Sequence, residues 1–258
     1  MGKKGEHFLV IIKTVGKSID ILDCFSLENP ELGVGEISEL TGYTASSVSR
    51  ILATLRAKGC VEKSPDTGRY QLGSKILGWS QIIYKQLEVK QVALEIMQEL
   101  RDQCGEEVAL YIMRGDDRYC IERVESKFGV AKTSATGVAL PLHCGAAGKV
   151  LLAYLPKSTR DELLKKPLES YTPFTITDRE ALEKDIEDIK RDGCAYSLSE
   201  REIGAYSIVA PVFNAHGQVV ASLAISGPQF RLSQEQKEVY LQLVKKAALK
   251  ISHKMGYG

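Results

Sequence analysis

Between residues 34 and 72 the spacing of apolar positions changes twice, and the change predicts two short helices followed by a hairpin. Val34, Ile37 and Leu40 recur at threes and predict a helix ending at Gly42, a residue suited to the positive φ of a tight turn. Thr44 is placed to cap a second helix, whose apolar stripe is Val48, Ile51, Leu52 and Leu55. Ser46, Ser49, Arg50 and Ala53 are left facing outward. Gly59 ends that helix. Residues 60–63 and 69–73 then read as strands around Ser64-Pro65-Asp66-Thr67-Gly68, a turn sequence. Two helices, a tight turn and a hairpin make a winged helix-turn-helix. An outward face that is small, hydroxylated and singly basic can enter a DNA major groove. Thr44, Ser46, Ser47, Ser49 and Arg50 are the candidate contacts, with Lys63 and Arg69 flanking the tip of the wing where phosphates would lie. A helical hairpin for protein contacts is the competing reading, and it leaves the wing without a use.

Upstream, a helix is predicted over 15–27 with Val15, Ile19, Leu22 and Phe25 on one side, stopped by Glu28-Asn29-Pro30; the stretch up to His7 is polar. Downstream, 74–87 is helical in period but apolar on more than one face, with Ile76, Leu77, Trp79, Ile82, Ile83 and Leu87. A neighbouring subunit is the simplest cover for such a linker. The expected organisation is a DNA-binding domain over 12–73, a linker helix over 74–87 and a larger domain over 88–258.

In the larger domain a helix over 89–104 precedes strands at 107–114 and 118–124, joined at Gly115-Asp116-Asp117. A further strand is expected near 129–134. Gly145-Ala146-Ala147-Gly148 opens a helix running to Leu155, and Thr177-Asp178-Arg179-Glu180 reads as a capping box before another that ends at Gly193. Strands follow at 194–199, 206–213 and 219–226, and Ser233-Gln234-Glu235-Gln236 caps a last helix. Hairpins with helices grouped between them predict an α+β fold with a largely antiparallel sheet.

Charge changes this picture only locally. The chain has 258 residues with 34 basic against 33 acidic side chains, yet from 44 to 72 Arg50, Arg56, Lys58, Lys63 and Arg69 face only Glu62 and Asp66. No apolar run reaches membrane-spanning length. Phe8–Ile12 is too short and lacks a cleavage site, so a cytoplasmic protein without a membrane partner is expected. Six cysteines are scattered without a CxxC pair, as free thiols in a reducing compartment would be.

Two features of the larger domain carry candidate chemistry. Small residues at 145–148 either offer free helix N–H groups to an anion or allow close packing on the sheet; the residues alone leave both open. His143-Cys144 could pair as nucleophile and base, join Cys120 or His216 around a metal, or serve as a buttress in which His143 holds the helix start. Neighbours in sequence usually diverge, and no ligand-spaced cluster exists, so the expectation is no catalytic residue, no metal and no cofactor.

The sequence resembles the IclR family of bacterial transcriptional regulators. The residues that carry the resemblance begin with Val15-Gly16-Lys17-Ser18-Ile19-Asp20-Ile21-Leu22, Glu36-Ile37 and Thr41-Gly42. They continue through Ser47-Val48-Ser49-Arg50-Ile51-Leu52-Ala53-Thr54-Leu55 and Gly68-Arg69-Tyr70-Gln71-Leu72-Gly73. In the second half they are Leu140-Pro141-Leu142-His143, Gly148-Lys149, Phe174-Thr175-Ile176-Thr177-Asp178, Ile225-Ser226-Gly227-Pro228 and Arg231-Leu232.

The resemblance implies a GAF-like effector-binding domain and assembly as homodimers or homotetramers on an operator in double-stranded DNA. It also implies an effector pocket at Lys132, Leu140, Ala146, Ala147, Ser197, Ser207, Ala224 and Ser226. Metabolite-binding relatives often carry an acid in place of Ser197 and a serine in place of Ala224, and a hydrophobic residue would be less surprising than Lys132. Losing an acid and gaining a cation favours a small carboxylate, although Lys132 could equally face solvent. The expected protein is a ligand-responsive, sequence-specific transcriptional regulator. The alternative is a metabolite-converting enzyme fused to a DNA-binding module, for which the sequence shows no acid–base or nucleophile constellation.

Overall fold

A computed structural model describes residues 12–85, 88–129 and 136–258, with the side chains of 83–85 excepted. The polar stretch up to His7, Leu87, Lys132 and the strand expected near 129–134, except for Gly129, lie outside them. The chain divides into two compact units, Met1–Gln86 and Leu87–Gly258.

The first unit runs α1 (Lys13–Leu22), α2 (Val34–Thr41), α3 (Ala45–Ala57), β1 (Val61–Lys63), β2 (Tyr70–Leu72) and α4 (Ser74–Lys85). Ile21, Ile37, Val48, Leu52 and Val61 are completely buried and form its core; each full burial contributes about 1.5–3 kcal/mol. Gly42 closes α2 at φ 71°, as the turn requires, and Thr44 caps α3 by accepting the Ser47 N–H at 3.4 Å. β1 and β2 pair antiparallel, and Tyr70 also pairs with Leu32, so the wing is stitched to the segment before α2.

Three expectations need correction here. α1 stops at Leu22, well short of residue 27, with Asp23 as its C-cap. It packs inward through Ile21 while Val15 and Ile19 stay exposed, because α2 and α3 meet its other face. Leu40, at 63% exposed, does not belong to the core either.

The second unit contains α5 (Glu88–Cys104), β3 (Glu107–Arg114), β4 (Asp117–Val124), β5 (Ala139–Pro141), α6 (Ala146–Ala153), α7 (Lys157–Leu163), α8 (Arg179–Asp192), β6 (Ala195–Leu198), β7 (Ala205–Phe213), β8 (Val219–Pro228) and α9 (Gln234–Lys254). Among the described residues the sheet has the order β5-β4-β3-β8-β7-β6 with antiparallel neighbours, giving the expected α+β architecture. Strand alternation separates two layers. Ala109, Val209 and Ala224 pack with α6 and α8, while the intervening Val108, Leu110, Ile208 and Ile225 are buried on the side of α5 and α9. Register aligns Ser197, Ser207, Ser226 and Glu107 in one row on the α6 face.

The capping of α9 by Ser233 and Gln236 is as the sequence indicates. At α8 the cap is Asp178, whose carboxylate accepts the Ala181 N–H at 2.8 Å, so the motif is displaced by one residue from the Thr177 reading.

The wing meets α3 where Gly73 crosses Gly59. The Gly73 N–H donates to the Cys60 carbonyl at 2.8 Å, and a Cβ on Gly73 would stand 2.3 Å from the Gly59 oxygen. Gly73→Ala is therefore expected to destabilise the first unit by about 1–3 kcal/mol through a forced backbone shift. Hydrogen exchange at the wing amides reads this, and unaltered protection would refute the close approach.

Candidate functional site

Two surfaces follow from the two units. On the first, Ser46, Ser49, Arg50 and Ala53 are exposed together along α3, as expected of a helix face that meets a groove. Thr44 and Ser47 work differently: Thr44 holds the Ser47 N–H and touches the Ser46 hydroxyl at 3.2 Å, so this pair shapes the helix start. Lys63 is exposed on the wing, with its ammonium 5.4 Å from the Tyr70 ring centre.

Arg69 is committed inward. Its guanidinium donates to the Glu31 carbonyl at 3.0 and 3.3 Å and pairs with Glu36 at 2.7 Å. Glu36 in turn accepts the Gly33 N–H at the start of α2, and this bond together with Arg69 holds its carboxyl below the usual range. Arg69 thus joins the wing to α2 and is not a free cation at the wing tip, a pairing that sequence distance hides.

On the second unit, Gly145 is the N-cap of α6 at a φ of 80°, and this helix start borders a cavity. That cavity is lined by Gly145, Ala146, Ala147, Ser197 and Ser207 together with Tyr111, Arg118, Glu200, Arg201, Glu202, Ala205 and Tyr206. Its free space is only about 20 Å³, roughly one water. The Ser197 hydroxyl accepts the Ala146 N–H at 3.0 Å, and Glu200 accepts the Gly145 N–H at 2.9 Å. Ser226 stands behind Ser207, donating to its hydroxyl at 3.0 Å.

Ala224 lies in the core beneath α6, and Leu140, on β5, packs against the margin of that core; neither lines the cavity. Gly148 serves close packing, since a Cβ there would meet the Leu142 carbonyl oxygen at 2.3 Å. Close packing thus accounts for Gly148, while the N–H groups of Gly145 and Ala146 are taken by Glu200 and Ser197.

Sequence reasoning missed Arg118, Glu200 and Arg201. Arg118 is 4% exposed and donates Nη1 to the carbonyls of Pro141 and Cys144. Burial draws its guanidinium below the ordinary value. The one available signal was Glu200-Arg201-Glu202, a charged run in a turn, which reads more simply as solvated.

A larger cavity of about 320 Å³ lies between the β4 and β5 ends and the segment after α7. Its polar groups answer one another: Lys166 pairs with Asp116 at 2.6 Å, and His143 shares a 2.9 Å bond with the Glu169 carbonyl. His143 accordingly braces that segment and not the start of α6. Cys144 points elsewhere, donating to the Glu200 carbonyl at 3.3 Å, and burial raises its thiol above the ordinary value. The two do not meet as nucleophile and base. All six cysteines are free, and no helix among the described residues is long and apolar enough to cross a membrane.

The fold and both units have counterparts in known proteins. Residues 81–253 match the family model of the bacterial transcriptional regulator IclR C-terminal domain, and 14–65 match the IclR helix-turn-helix domain. The chain belongs to the IclR family. The transcriptional regulator KipR of Bacillus subtilis is 33% identical over 246 residues, covering 95% of this chain and 98% of that protein. The crystal structure of Thermotoga maritima IclR superposes with a TM-score of 0.76 at 29% identity, covering 96% of this chain and all of that one.

An IclR homologue from Microbacterium hydrocarbonoxydans, solved in complex with 4-hydroxybenzoate, has a TM-score of 0.82 at 24% identity over 94% of this chain and 98% of that one, a likeness of fold. The chain is thus an IclR-type DNA-binding transcriptional regulator.

Proposed function

We propose that this IclR-family regulator reads its operator through the exposed face of α3, with Ser46, Ser49 and Arg50 toward the bases and Lys63 on a flanking phosphate, and senses a small carboxylate at the start of α6. The observation that carries the effector reading is the helix start at Gly145 and Ala146, which borders a cavity lined by Ala147, Ser197 and Ser207 and whose N–H groups already hold oxygen acceptors, one of them a carboxylate. The helix dipole adds a favourable field for an anion there. The 4-hydroxybenzoate of the Microbacterium relative is a carboxylate held by the same fold. Working boundaries of 12–73, 74–87 and 88–258 for the DNA-binding domain, linker helix and effector domain follow, in a cytoplasmic homodimer or homotetramer. Subunit association is supported by apolar surface on α4, where Trp79 is 48% and Ile82 58% exposed, and on α1 at Val15 and Ile19.

Arg50→Ala is expected to weaken operator binding by about 1–3 kcal/mol if the guanidinium reads a guanine, with the loss confined to particular base positions. A uniform loss with a shallower salt dependence would assign it to phosphate. Unchanged affinity in a gel-shift titration would sink the placement of α3.

Trp79→Glu combined with Ile82→Glu should convert the assembly to monomers and abolish binding to a two-half-site operator. Light scattering that finds the wild type monomeric rejects the association.

Ala147→Phe should fill the cavity and block the effector while operator affinity in its absence stays unaltered. Operator complexes titrated with a panel of small acids, 4-hydroxybenzoate among them, test this; the active acid should shift wild-type affinity roughly five- to 150-fold, the usual range for coupled sites. An acid that shifts both proteins equally puts the pocket elsewhere, and a panel without any active acid removes the carboxylate reading.

A further inference from the structure

Glu200 already occupies the place an anion would take. Its Oε2 accepts the Gly145 N–H at 2.9 Å, and its Oε1 accepts from the Lys149 ammonium at 2.5 Å. The positive end of α6 therefore has a carboxylate drawn from its own chain, which is why so little free space remains beside it. The loop that carries this side chain is fixed. Thr172 and Thr175 donate to the Ser199 and Glu200 carbonyls, each at 2.6 Å. Ser199 is held at a φ of 57°, a strained value for a residue with a Cβ that persists only where the surroundings impose it. With the backbone pinned, exchange at the helix start is open to the Glu200 side chain alone.

Three cations and three carboxylates gather at the cavity, but their pairing is uneven. Lys149 is met by two carboxylates, Glu200 and Asp185. Arg118 and Arg201 bring two more cations to the same cavity, and among the described residues neither forms an ion pair. The Nε of each is buried without a hydrogen-bond partner. Arg118 has neutral carbonyls as its acceptors, while Arg201 lies 4.8 Å from the centre of the Tyr171 ring. Glu202, the remaining acid at the cavity, is exposed. A partly desolvated site with two guanidinium groups outside any ion pair and unused donors is set up to take another anion.

We propose that Glu200 is an internal competitor for the effector carboxylate. The incoming anion takes over the Gly145 N–H, Glu200 swings away while keeping Lys149, and Arg118 with Arg201 supply the positive charge that lets both carboxylates stay. This rests on the carboxylate pocket argued above and adds what sets its affinity.

The experiment uses the full-length protein, acetate as the probe and the Gly145 amide resonance as the readout, with wild type beside Glu200→Gln, Asp185→Asn and Arg201→Gln. Acetate should move that resonance in the wild type. Glu200→Gln should bind acetate about tenfold tighter or more, since a charge-assisted bond no longer has to be displaced. Asp185→Asn removes the same charge from Lys149 but none from the helix start, and should gain less than about threefold, as screened electrostatics would give. Arg201→Gln should bind more weakly. Glu200→Asp, which withdraws the carboxylate by one methylene, should tighten binding in the same direction and serves if the glutamine variant does not fold.

Equal or weaker binding by Glu200→Gln, or an equal gain in Asp185→Asn, overturns the competition and leaves the pocket standing. A Gly145 resonance indifferent to acetate in every protein overturns both.

Discussion

The effector unit is organised around one buried ammonium. Lys149, on α6, is 1% exposed and meets Asp185 of α8 at 2.7 Å and Glu200 of the β6–β7 loop at 2.5 Å. Through Glu200 it reaches the first N–H of its own helix, and the Glu200 carbonyl is held in turn by Thr175 and Cys144. A helix, the helix packed on it, the loop that closes the cavity and the segment before α8 therefore share one charge. A buried ammonium is tolerated only where carboxylates compensate it, and here two do. The same arrangement explains why the pocket is nearly full: the groups that hold the unit together are those that line it.

Arg69 has the corresponding role in the DNA-binding unit. It joins the wing to the start of α2 through Glu36 and the Glu31 carbonyl, so the wing is fixed relative to the helices before any DNA arrives. A basic residue beside a recognition helix offers a phosphate contact only when no internal carboxylate has claimed it. Arg50 and Lys63 meet that condition as exposed side chains, and the unit thereby separates cations that build from cations free to bind.

This separation marks the limit of what the sequence reveals. Local signals were legible where they act locally: Gly42 as a turn, Thr44 as a cap, the stripe of Val48, Ile51 and Leu52, and the box at Ser233 and Gln236. β5 and α7 were not, because three and seven residues give too little period to register. The face of α1 was misjudged since Val15 and Ile19 are as apolar as Ile21, and periodicity alone does not say which apolar face meets the core. At the pocket, Ala146, Ala147, Ser197 and Ser207 converge, whereas Arg118 and Glu200 went unnoticed. The partners of their side chains are at least 23 and 51 positions away, and no local pattern encodes a pairing of that range.

A pocket filled by its own carboxylate has a thermodynamic consequence. Exchanging one carboxylate for another at the Gly145 N–H leaves the hydrogen bond there nearly unchanged, so little of the binding free energy comes from the helix start itself. It comes instead from Arg118 and Arg201, which have no ion-pair partner among the described residues, and from relief of donors that are buried without partners. Any effect on DNA is limited to the difference in free energy the effector makes between two arrangements of the protein. Displacing Glu200 creates such a difference directly, because Glu200 shares Lys149 with Asp185, so a carboxylate that moves at the end of α6 changes the charge balance felt by α8. An anion bound in an empty cleft would add contacts without disturbing any. An anion that must replace an internal one cannot bind without moving a carboxylate that Lys149 shares with α8.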